Sequence, residues 1–95
     1  MDSLLIYDNN SQLNNDISNN FLKYNENINN LYNCRVINPP FFSRIVILRE
    51  DLNENDLKKI YNMCLINGKI YFKAKYKKFF NTKKSFIQKK NNFIR

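Results

Sequence analysis

The chain has 95 residues, enough for one small domain and too few for a multidomain enzyme. Sixteen Lys and Arg against eight Asp and Glu give a formal charge of +8, which favours a polyanionic partner. With no His, no Trp and a single Gly, histidine triads, histidine-containing zinc sites and glycine-rich phosphate loops are excluded.

Leu4-Leu5-Ile6-Tyr7 is a short apolar run closed by the turn-forming Asp8-Asn9-Asn10-Ser11, and it predicts a first strand. Leu13, Ile17, Phe21 and Tyr24 recur every three or four residues behind Ser11, a candidate cap, which predicts a helix. Residues 28–32 have ambiguous helical spacing. Cys34-Arg35-Val36-Ile37 alternates and runs into Asn38-Pro39-Pro40, where proline must end a ladder, so a second strand is predicted there. The β-branched run Ile45-Val46-Ile47-Leu48 predicts a central strand within 43–49. Leu57, Ile60, Tyr61, Cys64 and Leu65 fall on one helical face behind the cap candidate Asn53, with Asn67-Gly68 as the expected left-handed stop. From 69 to 77, Ile70, Phe72, Ala74 and Tyr76 alternate with Tyr71, Lys73, Lys75 and Lys77, predicting a strand with one apolar and one basic face.

The remainder, 78–95, repeats Phe79-Phe80, Phe86-Ile87 and Phe93-Ile94 every seven residues with lysine pairs between them, an amphipathic pattern that predicts a basic C-terminal helix. Two units are expected, a domain over 1–77 and this tail. Charge follows the same division: residues 1–66 hold six basic and eight acidic side chains, whereas 67–95 hold ten basic and none acidic. Such a block repels itself unless it meets counter-charge, so it reads as an interaction surface.

Met1-Asp2-Ser3 places an acid where a secretory signal carries positive charge, and no window reaches the ~18 apolar residues of a spanning helix. The expected location is cytoplasmic, with the nucleus as the alternative, and the protein is expected to be neither secreted nor membrane-spanning. Cys34 and Cys64 lack CxxC spacing and read as small buried hydrophobes in a reducing compartment. Asn, Lys, Ile, Phe and Tyr make up 56 of the 95 residues, the bias of an A/T-rich genome, so single asparagines are read as surface filler.

The predicted order is βαββαβ followed by a basic helix. It specifies an α+β, ferredoxin-like split βαβ sandwich, with a four-stranded antiparallel sheet and two helices on one face. Particular stretches carry a family likeness: Ile17 to Phe21 followed by Lys23-Tyr24-Asn25, Asp51 to Leu57 followed by the Asn67-Gly68-Lys69 exit, and 5–9 as a first-strand motif. Over residues 4–77 the chain resembles an RNA-recognition-motif domain of degenerate form. The family's sheet aromatics would fall here on Ile6, Arg44 and Val46, so its stacking platform is absent. The open face would carry Ile6, Arg35, Arg44, Val46, Tyr71, Lys73 and Lys75, a surface suited to phosphates more than to base reading.

A non-enzymatic RNA-binding protein is therefore the expected function, as a structural component of a ribonucleoprotein particle such as the ribosome or spliceosome, or a factor bound to one. Its expected partners are RNA, contacted along the phosphate backbone, and neighbouring proteins of the particle, with no cofactor, metal or small-molecule substrate. The candidate RNA-binding residues are Arg35, Arg44, Tyr71, Lys73, Lys75, Lys77, Lys78, Lys83, Lys84, Lys89, Lys90 and Arg95. A protein-docking or anionic-membrane-surface module is the alternative, from the Phe/Ile repeat flanked by lysine. Asn38-Pro39-Pro40-Phe41 also resembles the catalytic loop of amino-directed methyltransferases. The glycine-rich cofactor turn of that family is missing, which leaves a degenerate fragment as the least favoured reading.

Overall fold

The computed structural model describes residues 3–9, 11, 21–35, 42–82 and 93–94. The strands are β1 (Ser3–Ile6), β2 (Leu22–Tyr24), β3 (Phe42–Ile47), β4 (Cys64–Tyr71) and the two-residue β5 (Phe93–Ile94). Among the described residues three helices lie between them: α1 (Ile28–Arg35), α2 (Glu54–Met63) and α3 (Lys77–Thr82), the last entered through a 3-10 turn over Ala74–Tyr76. The sheet order is β2-β1-β3-β4-β5 and every neighbouring pair is parallel. Four strands form the body of the sheet, and β5 adds one short rung at the edge of β4.

This architecture is α/β and corrects the antiparallel ferredoxin-like expectation. Two observations account for the difference. First, 28–35 is a helix, α1, where an alternating strand over 34–37 was expected, and the second strand instead forms at Leu22–Tyr24, inside the stretch assigned to the first helix. Second, all four residues of β1 are buried, as in a strand covered on both faces. Parallel strands need crossover connections, and α2 supplies the one between the neighbours β3 and β4, while α1 carries the chain from β2 past β1 to β3. The rest of the expected first helix, 12–20, lies outside the described residues, as do 36–41, which include the Asn38-Pro39-Pro40-Phe41 loop.

The core forms between one sheet face and the helices. Leu4 and Ile6 of β1, Ile45 and Ile47 of β3 and Ile70 of β4 meet Ile28 and Leu31 of α1 and Leu57, Ile60 and Met63 of α2. Each such side chain, fully buried, contributes about 1.5–3 kcal/mol from its removal from water. Phe80 of α3 stacks on Phe72, ring centroids 4.4 Å apart, which ties the first pair of the seven-residue repeat into this core.

The second helix starts as the sequence indicates. The Asn53 side chain accepts from the Asp56 backbone N–H at 2.8 Å, and Asp56 accepts from the Asn53 N–H at 3.2 Å, closing a capping box. Its end differs from expectation, because α2 stops at Met63 and Cys64 already opens β4. Asn67-Gly68 lies inside β4, where the register against β3 moves from Phe42–Cys64 to Arg44–Lys69, so between these pairs the one residue Ser43 of β3 stands against four of β4. Asn67 takes the left-handed backbone conformation, at φ 69°, that lets the extra residues loop out. The strand expected over 69–77 ends at Tyr71, and Lys73, Lys75 and Lys77 lie beyond it.

Candidate nucleic-acid interface

In parallel ladders, paired residues project to the same side of the sheet. Leu22, Leu4, Ile45 and Ile70 form one row toward the helices. The neighbouring rows point the other way. One runs Ser3, Arg44, Lys69; the next runs Lys23, Leu5, Val46, Tyr71. Leu5 is fully buried and Ser3 nearly so, but Lys23, Arg44 and Lys69 are exposed and Val46 and Tyr71 half-buried. This second face is therefore basic and partly apolar over β3 and β4, and no carboxylate among the described residues lies in either row.

Arg44 is placed from two directions. Its guanidinium lies over the Phe21 ring, 5.0 Å from the centroid, and its Nε donates to Ser3 Oγ at 3.4 Å. Stacking fixes the plane of the guanidinium while leaving its outer N–H groups for an acceptor. Lys69 is its register neighbour on β4, and Lys69 has no ion-pair partner among the described residues. Two cations on adjacent strands repel each other, and an anion bridging them turns that repulsion into attraction.

The acidic side chains gather elsewhere. Asp8 follows β1, Glu26 follows β2, Glu50 and Asp51 follow β3, and Glu54 and Asp56 occupy the first turn of α2. All six acids among the described residues thus sit at the carboxyl ends of the strands. Arg49, only 8 % exposed, organises this end: its Nε and Nη2 donate to the two Asp51 oxygens at 2.9 Å each, and its Nη1 donates to the Glu26 carbonyl at 2.6 Å. The hydrogen bond to Asp51 outweighs burial and raises the Arg49 pKa, while the same bond to Arg49 lowers that of Asp51. Arg49 is consumed in tying the loop after β2 to the loop after β3 and is a structural cation.

Of the candidate RNA contacts, Arg44 and Tyr71 share the exposed sheet face. Arg35 does not join them; it is the last residue of α1 rather than a strand residue. Ile6, expected on the open face, is buried on the helix side. Lys73 and Lys75 lie past the end of β4 at the acidic end, where Lys73 Nζ is 3.2 Å from Glu50 Oε2 and Lys75 donates to the Glu50 carbonyl. Lys77 and Lys78 are exposed on the first turn of α3. Lys83, Lys84, Lys89, Lys90 and Arg95 lie outside the described residues. Lys23 and Lys69 were not among the candidates. Alternation with Tyr71 marks Lys69 as an outward residue, but Lys23 carried no such mark while its segment read as helix.

No family model, curated protein or solved structure matches this chain. Among the described residues no group of three or more Cys, Asp or Glu could hold a metal ion, and no helix is long and apolar enough to cross a membrane.

Proposed function

We propose that this chain is a non-catalytic RNA-binding protein that works as a component of, or a factor bound to, a ribonucleoprotein particle. The observation that carries the reading is the register pairing of Arg44 and Lys69 on an exposed sheet face with no described carboxylate. Over β1 this face is already covered, since Leu5 and Ser3 are buried, whereas over β3 and β4 it stays exposed, and the charge there suits a polyanion. Lys23 extends the positive surface toward β2, and the ring of Tyr71 offers a flat neighbour for a base or sugar. The exposed Lys77 and Lys78, with the uniformly basic sequence beyond them, add affinity through counterion release and no sequence preference.

The test is fluorescence anisotropy of the full-length protein with single-stranded and hairpin RNA across a salt series, beside an Arg44→Gln/Lys69→Gln variant. Loss of two phosphate contacts lowers the log–log salt slope for single-stranded RNA by about 1.4. An unchanged slope and affinity in the variant would remove the sheet face from the interface. Binding to anionic vesicles in place of RNA would replace the proposal with a membrane-surface module.

A further inference from the structure

A cleft of about 440 Å³ opens between the first turn of α2 and the 3-10 turn leading into α3, at the carboxyl ends of β3 and β4. The cleft lies beside the ends of β3 and β4, one strand away from the point between β1 and β3 where the strand order reverses, and its volume lies within the ordinary range of ligand pockets. Leu52, Leu57, Tyr76 and Phe79 form its apolar walls. Lys75, Lys78 and Glu54 supply the polar groups.

The walls are fixed before anything enters. Tyr76 is held by its hydroxyl, which donates to the Arg49 carbonyl at 2.8 Å and accepts from the Leu52 N–H at 3.2 Å. Both hydrogen-bonding functions of that hydroxyl are used inside the protein, so Tyr76 offers a ligand only its ring. Phe79 packs edge-on against Phe80, centroids 5.0 Å apart, and Phe80 is itself stacked on Phe72. A preformed pocket loses little entropy in ordering its own side chains when it is filled.

The polar groups set the charge of the ligand. Lys75 holds its ammonium 5.7 Å from the centre of the Tyr76 ring, where it donates to the Glu50 carbonyl and retains two further donors. Lys78 stands one turn further on and has no ion-pair partner among the described residues. Against these two cations the lining sets one carboxylate, Glu54. We propose that the cleft is a binding site for a small organic anion with a flat apolar body, such as an aryl carboxylate or sulfonate, whose rings lie between Leu57, Tyr76 and Phe79 and whose charge meets Lys75 and Lys78. The site is separate from the Arg44–Lys69 face and shares only Lys78 with the proposed RNA surface.

Naphthalene-2-sulfonate is the probe, titrated into the ¹⁵N-labelled full-length protein, with 2-naphthylmethylammonium as a probe of the same body and opposite charge. The sulfonate is expected to shift amide signals of Leu52, Glu54, Lys75, Lys78 and Phe79 in a saturable way and to bind more tightly than the ammonium. Reversing one rim charge with Lys78→Glu weakens the sulfonate by about tenfold, and Glu54→Gln tightens it severalfold. Arg44→Gln/Lys69→Gln, on the other face, leaves it unchanged. Equal affinity for the two probes, shifts centred away from the cleft, or indifference to both rim substitutions would overturn the site. Amide spectra of each variant without probe establish that it remains folded.

Discussion

The Tyr76 hydroxyl lies 2.8 Å from the Arg49 carbonyl oxygen and joins the 3-10 turn before α3 to the loop after the third strand. The hydroxyl oxygen in turn accepts from the Leu52 N–H, so one buried phenol satisfies two backbone groups that no ladder reaches. Tyr76→Phe keeps the ring and strands both partners. The expected loss is about 1–3 kcal/mol, because unsatisfied buried groups cost more than a hydrogen bond gains. In a domain of this size that corresponds to a fall in melting temperature of roughly 5–15 °C, measurable by calorimetry.

The pair Arg49 and Asp51 sets the acid limit of stability. Its hydrogen bonds hold the Asp51 carboxyl below the ordinary value in the folded chain, so the unfolded chain binds that proton first on acidification. The contribution is complete above the ordinary carboxylate range, near pH 4, and is lost as pH falls through the folded value. Asp51→Asn is expected to flatten that part of the acid limb and to lower stability at neutral pH by about 1 kcal/mol, kept small by the exposure of Asp51 to solvent. Urea midpoints between pH 2 and 7 for the two proteins check both statements.

Burial raises the Tyr76 and Tyr61 hydroxyls above their ordinary values, which gives the opposite sign at high pH. Their contribution is present below about pH 10 and is lost as pH rises through the folded values, because the unfolded phenols ionise first. Phenolate absorbance is expected to rise in a late step coincident with loss of circular dichroism. In Tyr76→Phe the part of this step due to residue 76 disappears.

The sequence showed elements better than their arrangement. Asn53 and Asp56 mark the start of the second helix by side-chain chemistry alone, and the apolar spacing of Leu57 and Ile60 marks its buried face, so that helix was legible. Strand direction was not, because it depends on the connections, and one of those, 28–35, has only ambiguous helical spacing over 28–32 and ends in residues that alternate like a strand. The run Leu4-Leu5-Ile6 did carry a signal: apolar residues without alternation indicate a strand covered on both sides, as parallel strands are. At the candidate interface, Tyr71 was visible through alternation with buried neighbours, and Arg44 through the register that the family resemblance implies. The Arg44–Lys69 pairing was not, since it exists only after β4 has looped out three extra residues to reset its register.

Gly68 is the point where that reset leaves no room. A Cβ there would meet the Cys64 sulfur at 2.7 Å, the Leu65 carbonyl oxygen at 2.9 Å and the Ser43 carbonyl oxygen at 3.0 Å. Two of the three are backbone: the Ser43 carbonyl moves only by shifting β3 against β4, and the Leu65 carbonyl only by reshaping the looped-out part of β4 itself. Gly68→Ala is expected to cost about 1–3 kcal/mol, as overpacking does elsewhere, read as a lower urea midpoint at unchanged slope.

Arg44 and Lys69 give the sharpest separation of stability from binding. As register neighbours of like charge they destabilise the free protein slightly, and Lys69→Glu turns the pair into a cross-strand ion pair. That variant is expected to be more stable than the parent by about 0.5 kcal/mol at low salt, with the gain shrinking as salt screens the pair. Its RNA affinity moves the other way, falling well below the parent because an acceptor cannot approach a carboxylate beside Arg44. A protein whose exposed sheet face serves only solubility would show the gain without the loss. Denaturation and anisotropy on the same samples, each at two salt concentrations, separate the two cases.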